Sequence, residues 1–348
     1  MASGIYNLNR DFQISEKMQW HSLTRLGKPK IEDFPEILPM PLYYNGGKDM
    51  TFGHRKFFVP VSQDDMLPVA PPYCGETIID DSKKGCKAKD NDTKGTYILF
   101  TPREAWNWVV SVLEGTGYNV ESIGMLWNRS FWFISTELTE LKSLSVGDGR
   151  EVNFQLNFSG GLDRTVSPQC ELSSIVAVCH NTISLSRSSG KILFHERATK
   201  HFSNKLDASK SEVSKAVGMS AVFKAAMDSL AEKQCSDTRA KEIFAGFITP
   251  PELTKISTRG ENTVKQLTHL YRNGIGQQGK TEFDLLNAYT ELLTHGSPET
   301  KIPIGRRFAS SEFGNNADSK ADFYNLLTSN RPQLQIVEER GKELLATA

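Results

Sequence analysis

Cys179-His180, Glu291 and His295 are the side chains whose types and spacing most suggest chemistry. A thiol beside an imidazole can make a nucleophile and its base. On a strand, however, adjacent residues point to opposite faces, so sequence adjacency alone cannot pair this Cys with this His. Cys179 then reads as a core residue. Glu291 and His295 stand at i and i+4 and share a helix face, where they could share a proton, hold a metal, or form a plain surface pair. Cys74 and Cys86 flank a polar loop, but no CxxC or HxxxH accompanies them, so no metal site is expected. No GxxxxGK[ST], strand-linked GxGxxG or HExxH occurs, and no cofactor is expected. Gly274, Gly276 and Gly279 resemble a phosphate loop only in composition, because they fall between two helices. No acidic cluster suggests a two-metal nuclease.

The other chemical signal is charge. Between Arg187 and Lys205 lie Arg187, Lys191, Arg197, Lys200 and Lys205, with His195 and His201, against the single acid Glu196. One reading is a solvated hairpin edge. The sharper one is an anion site of the kind that follows a polyphosphate backbone. Arg129 in a hairpin turn and Arg164 in a loop extend the candidate surface. The nucleic-acid-binding set is therefore Arg129, Arg164, Lys191, His195, Arg197, Lys200, His201 and Lys205. Asn181, Asn287 and Glu291 form a polar structural motif.

Whatever positions these residues must be a soluble framework. Hydrophobic residues make up 38% of the chain and charged ones 24%, and 348 residues suffice for a sizeable core. Lys+Arg and Asp+Glu both number 41, so any attraction for nucleic acid must be local rather than global. Five irregularly spaced cysteines, no apolar leader and no long apolar run predict a reduced cytoplasmic protein without a membrane span.

Residues 1–95 are a Pro/Gly-rich irregular region with a strand at 56–61 and a solvated loop at 80–95. Residues 96–205 form the sheet-and-helix core. Tyr97–Phe100 reads as a strand, and Thr101-Pro102-Arg103-Glu104 is a capping box that opens a helix. Tyr118–Trp127 and Ser130–Glu137 make a hairpin. Val152–Phe158 alternates as a half-buried strand. Ile175 to Leu185 reads as one buried strand, interrupted by Cys179–Thr182. Residues 206–348 switch to helical periodicity, with helices from 209 to 230, 237 to 247, 258 to 274, 281 to 295 and within 317–327. The fold class is α+β: an antiparallel sheet of about five strands with a packed helix, followed by a helical C-terminal half.

Several segments together resemble one family. Cys179-His180-Asn181-Thr182 is similar to the Cys-x-Asn-Thr signature of the phage/plasmid-like proteins, a bacterial domain of unknown function. Lys200-His201 with Ser203-Asn204 resembles that family's Arg-His-Thr-x-Asn segment. Asn287-Ala288-Tyr289-Thr290-Glu291 and His295 resemble its Asn-Ala-x-Thr-Glu helix. Ser311-Glu312-Phe313-Gly314 with Lys320 resembles its Phe-Gly element, and Trp20-His21 a Trp-His-Gly motif that here lacks its Gly. A His-Asp-Gly turn of that family is present only as Ser159–Asp163, SGGLD. The resemblance implies a mobile-element protein of the bacterial cytoplasm and brings no established chemistry. The architecture resembles that of phage single-strand annealing proteins of the Redβ, RecT and Erf types.

The expected function is accordingly non-enzymatic binding and annealing of single-stranded DNA in phage or plasmid recombination, by a homo-oligomer. A groove holding phosphates while leaving bases free to pair would need Lys and Arg along the strand path. The alternatives are a nucleic-acid-processing enzyme or nucleotide-binding protein using His180, Asn181, His195 and Glu291, or a mobile-element regulator or anti-defence factor that binds a host protein.

Overall fold

The computed structural model of the chain describes residues 11–16, 24–41, 43–44, 48–49, 51–52, 55–69, 73–74, 99–114, 118–127, 129–138, 144–145, 149–176, 182–184, 187, 193–196, 198, 202, 206, 221–275, 277, 279–296 and 310–347. Strands β1 (Phe12–Ser15) and β2 (Thr24–Leu26) come first. The short strands β3 (Ile37–Pro41), β4 (Tyr43–Tyr44), β5 (Lys48–Asp49), β6 (Thr51–Phe52), β7 (Arg55–Ser62), β8 (Leu67–Pro68) and β9 (Tyr73–Cys74) follow. Helix α1 (Pro102–Leu113) then leads into β10 (Asn119–Leu126), β11 (Phe131–Glu137), β12 (Leu144–Ser145), β13 (Glu151–Gly161), β14 (Gln169–Val176), β15 (Thr182–Ser184) and β16 (Phe194–His195). Residues 221–232 are helical. After them come α2 (Asp237–Ile248), α3 (Thr258–Asn273), α4 (Glu282–His295), α5 (Asn315–Thr328) and α6 (Arg331–Ala346).

The principal sheet runs β15-β14-β13-β11-β10-β1-β2, with β12 on β13 and β16 on β14. The α+β class expected from the sequence is therefore the observed one, but the sheet has nine strands rather than about five. The difference begins at the N-terminus. β1 pairs antiparallel with β10, Ile14 opposite Ile123, and parallel with β2. These strands are too short to carry a periodic signal of their own; pairing partners define them. A smaller sheet, β3-β7-β6 with β8 and β9 on β7, contains the expected strand at 56–61.

By compactness the chain divides into two units, residues 1–139, 156–171 and 192–215 in one, and residues 140–155, 172–191 and 216–348 in the other. In the first unit, α1 starts at the predicted box. The Thr101 hydroxyl accepts from the Glu104 amide, and the Glu104 carboxylate accepts from the Thr101 amide at 2.7 Å. Ala105, Trp108, Val109 and Val112 form its buried stripe. Trp108 meets Phe158 edge-on with centroids 5.1 Å apart, and Phe100 meets Trp132 and Phe202 in the same way. Leu99 and Phe100 thus serve the core as buried side chains, outside any strand, which corrects the strand expected there. Tyr97 and Ile98 lie outside the described residues.

Two further strand expectations change. The run from Ile175 to Leu185 is not one strand but part of a hairpin, β14 against β15, with Ile175 opposite Thr182 and Ser173 opposite Ser184. Folding the run back lets both halves pair with each other, and Thr182 of the polar group opens β15, while Cys179, His180 and Asn181 lie outside the described residues. Strand β13 is buried on both faces rather than half-buried: Gln155 and Asn157 are as enclosed as Phe154 and Leu156. Alternation failed as a guide because a polar side chain can be buried when a neighbour satisfies it. Asn157 Oδ1 accepts from the Ser135 hydroxyl at 2.7 Å.

In the second unit α2 to α5 match the expected helices closely. The N-cap of α3 is Ser257, one residue before the expected Thr258. Helix α6 was not anticipated. Its buried stripe, Leu334, Val337, Gly341 and Leu344, is narrow and sits in a polar sequence, although Asn330 and Pro332 are good start signals. Among the described residues no helix is long and apolar enough to cross a membrane.

Candidate functional site

Helix α4 is the best-organised element of the second unit, and every residue from Glu282 to Glu291 is buried. Its first turn carries two acids, which suits the positive end of a helix. Asp284 accepts from the backbone amides of Lys280 and Thr281 and receives Arg150 Nη1 at 2.7 Å. The Arg150 guanidinium also lies 4.1 Å over the Phe283 ring. Glu282 is held between Arg239 and Arg331, which keep its carboxyl below the usual range against the opposing effect of burial. These pairs fix the helix ends relative to α2 and α6.

Further along α4 the side chains named by the motif take their places. Asn287 is buried, and the Thr290 hydroxyl donates to its carbonyl at 3.0 Å. The Glu291 carboxylate accepts from the Gln277 amide at 2.8 Å and from the Ile275 backbone N–H. Burial nevertheless raises its pKa. Gly274 passes so close that a Cβ there would overlap the carboxylate. The glycine-containing connection that looked like a phosphate loop therefore wraps a carboxylate of its own chain. Of its described backbone amides, that of Ile275 turns to the carboxylate, while those of Gly274 and Gln277 donate to the Leu270 and Gly274 carbonyls. His295 is exposed at the end of the helix.

The last turn of α4 meets the segment leading into α5. Lys320 Nζ donates to Ser311 Oγ at 2.6 Å and to Thr294 Oγ1 at 3.0 Å, with Glu312 Oε1 at 3.9 Å. Lys320 is 0% exposed and Ser311 2%. Burial lowers the lysine pKa to about 8, with Glu312 acting in the opposite direction. A serine hydroxyl against a lysine that can lose its proton is the arrangement of a nucleophile and its base. Here both atoms are enclosed. Strand β15 packs against α4 and α5 nearby. Arg187, just after it, pairs with Asp318 at 2.6 Å and donates to the Phe313 carbonyl. Three motif segments far apart in sequence thus converge in this unit. Asn181 itself lies outside the described residues.

The expected nucleic-acid-binding residues fall elsewhere. Lys191, Arg197, Lys200, His201 and Lys205 lie outside the described residues. Arg129, Arg164 and His195 are in the first unit and share one end of the principal sheet. Arg129 sits in the β10–β11 turn, at φ 69°. The Leu162 amide donates to the carbonyl of neighbouring Ser130, bringing the β13–β14 turn alongside. Arg164 occupies that turn at φ 68°, behind Asp163, whose carboxylate accepts from the Thr165 amide and hydroxyl. His195 is opposite Gln169 at the start of β14. Arg129 is 17% exposed and is engaged by Asp64 at 3.2 Å and by the Ser62 hydroxyl at 2.8 Å, so most of its charge is used within the fold. Arg164 and His195 are exposed. Among the described residues no cluster of His, Cys, Asp and Glu could hold a metal ion.

A largely antiparallel sheet with a packed helix, joined in one chain to helices whose polar positions are buried and mutually bonded, defines an α+β protein with a built polar interior. The chain belongs to the family described as a domain of unknown function, DUF932, whose model matches residues 93–324. No curated protein and no solved structure matches it.

Proposed function

We propose that this protein binds single-stranded DNA and promotes its annealing, as a self-associating, mobile-element protein of the bacterial cytoplasm. The observation that carries the reading is the gathering of Arg129, Arg164 and His195 at one sheet end, from two turns and strand β16, each more than thirty residues from the next. His195 also opens the basic run that continues through Arg197, Lys200 and Lys205. Exposed Arg164 and His195 at this end suit contact with phosphates while bases stay free to pair. Burial of Asn287, Glu291, Ser311 and Lys320 supports assigning them to the framework rather than to a reaction.

The test is a fluorescence-anisotropy titration of a short fluorescent oligonucleotide at several salt concentrations. Affinity should fall with salt at a log–log slope of about −0.7 per phosphate contact. Replacing Arg164 and Arg197 together by Ala should weaken binding to all sequences alike and reduce the slope by roughly 1.4. Absence of binding at low salt, or binding indifferent to salt, would remove this reading.

A second reading rests on the 2.6 Å approach of Lys320 to Ser311. On opening of the segment around Ser311, that pair could act in acyl or phosphoryl transfer. Labelling of Ser311 by a fluorophosphonate in the native protein, lost in Ser311→Ala, would favour it over annealing.

A further inference from the structure

A cavity of about 430 Å³ lies in the helical unit, where the end of α2 faces α5 and the first half of α6. That volume is in the range that encloses a small organic ligand, about 300–1,000 Å³. Its apolar wall is made by Phe247, Leu326 and Ile336, the last 56% exposed. Against this wall stand three polar side chains that the fold itself does not use. Thr249 is only 5% exposed, yet its Oγ1 is buried without a hydrogen-bond partner among the described residues. A buried hydroxyl left unpaired is destabilising, and valine would fill the same space without that cost. Asn325 and Gln333 also line the cavity, and the structure gives their side-chain amides no bond to a described residue.

Charge narrows the ligand class. The cationic lining group is Arg340, and its guanidinium is occupied. Nη1 donates to the carbonyls of Gly246 and Thr249, and Nη2 to those of Pro250 and Leu253, which closes the C-terminal end of α2. The remaining charged lining group is the carboxylate of Asp322. An anion would find repulsion and no free donor of full charge. A flat, uncharged ring with donors and acceptors on one edge meets both the apolar wall and the amides.

We propose that this cavity is a binding site for an adenine base, presented by a free nucleoside or by a nucleotide within a strand. Side-chain amides of Asn and Gln pair with the adenine edge in two parallel hydrogen bonds, donating to N7 and accepting from the N6 amino group. Asn325 or Gln333 can supply that pair. The proposal rests on the cavity alone and does not require the strand-binding reading.

The full-length chain is titrated calorimetrically with adenosine, guanosine, cytidine, uridine, AMP and a short oligo(dA). Saturable adenosine binding is expected, at least tenfold tighter than for the other three nucleosides. AMP should bind no tighter than adenosine, because Arg340 is already spent and Asp322 opposes phosphate. Oligo(dA) tighter than adenosine identifies a strand as the source of the base; equal or weaker binding identifies the free nucleoside. Asn325→Leu or Gln333→Leu should remove the preference for adenine. Gln333 is exposed, so its variant keeps the test decisive should Asn325→Leu fail to fold. The proposal is overturned by no binding at millimolar adenosine, by equal binding of all four nucleosides, by AMP binding far above adenosine, or by variants that bind as the parent does.

Discussion

Lys320 is a cationic side chain wholly enclosed by the fold. Its ammonium is stabilised by two hydroxyls and a carboxylate, but enclosure outweighs them and holds the pKa near 8. An unfolded lysine titrates near its ordinary value of 10.5. Between about pH 8 and pH 10.5 the unfolded chain therefore binds the proton more strongly than the native one, and this residue makes stability rise with pH across that window. Below pH 8 both states carry the charge, and the full cost of enclosing it, on the order of 3 kcal/mol, is present. Urea unfolding at pH 7.5, 9 and 10 should show the rise, flattened in a Lys320→Met/Glu312→Gln double variant. Lys320→Met alone should be less stable than the double variant by about 3 kcal/mol, because it leaves the buried Glu312 carboxyl without the nearby ammonium. Equal stability of the two variants would mean that the pair is not coupled. Alkylation of Cys170 and Cys235 should be slow in the native state, since burial pushes both thiols above their ordinary range.

At the level of elements, the tightest junction is α2 against α6. A Cβ built on Gly246 would overlap the Val337 carbonyl, and one built on Gly341 would overlap the Glu242 carbonyl. The two helices touch backbone to backbone through this reciprocal glycine pair. Neither glycine has a positive φ, so the need is for space and not for conformation. Overpacking usually costs about 1–3 kcal/mol, and here backbone rather than a flexible side chain would have to move. Gly246→Ala and Gly341→Ala should each cost about 3 kcal/mol or more in denaturant unfolding, despite alanine's higher helix propensity. A gain in stability from either would contradict the packing. Thr101→Ala offers a milder comparison, since loss of one capping box costs about 1 kcal/mol. Arg239, bridging Glu282 and Glu338, holds α2, α4 and α6 together by charge as the glycines hold two of them by contact.

For the whole molecule the governing quantity is the charge balance of 41 against 41. A chain with no net charge at neutral pH has little long-range repulsion between copies. Light scattering should therefore show greatest self-association near pH 7.1, the isoelectric point, and less on either side. Moderate salt should alter this modestly, because attraction between neutral molecules depends on local patches. If oligomers form through the same surface that meets DNA, oligonucleotide should disperse them; assemblies that persist would place self-association elsewhere.

Short-range chemistry made much of the framework legible. The Thr101–Glu104 box, the hairpin of β10 and β11, and the apolar spacing of α2 to α5 each operate over a few residues, and all appear where the sequence places them. The same locality explains what was hidden. Strand β1 is defined by pairing with β10 and β2 by pairing with β1, and helix α6 meets α2 through a glycine on each. Asn287 and Glu291 were recognised as part of a motif, yet neither their burial nor the use of the glycine connection to hold Glu291 follows from spacing. Arg150 reaches Asp284 across 134 positions, and Lys320 finds Ser311 and Thr294 on two different segments. Local propensity determined which stretches become helix or strand. Which polar atoms are enclosed, which charges are spent and which, like Thr249 Oγ1, are left over was decided by tertiary packing, because desolvation depends on neighbours that the chain brings together only when folded.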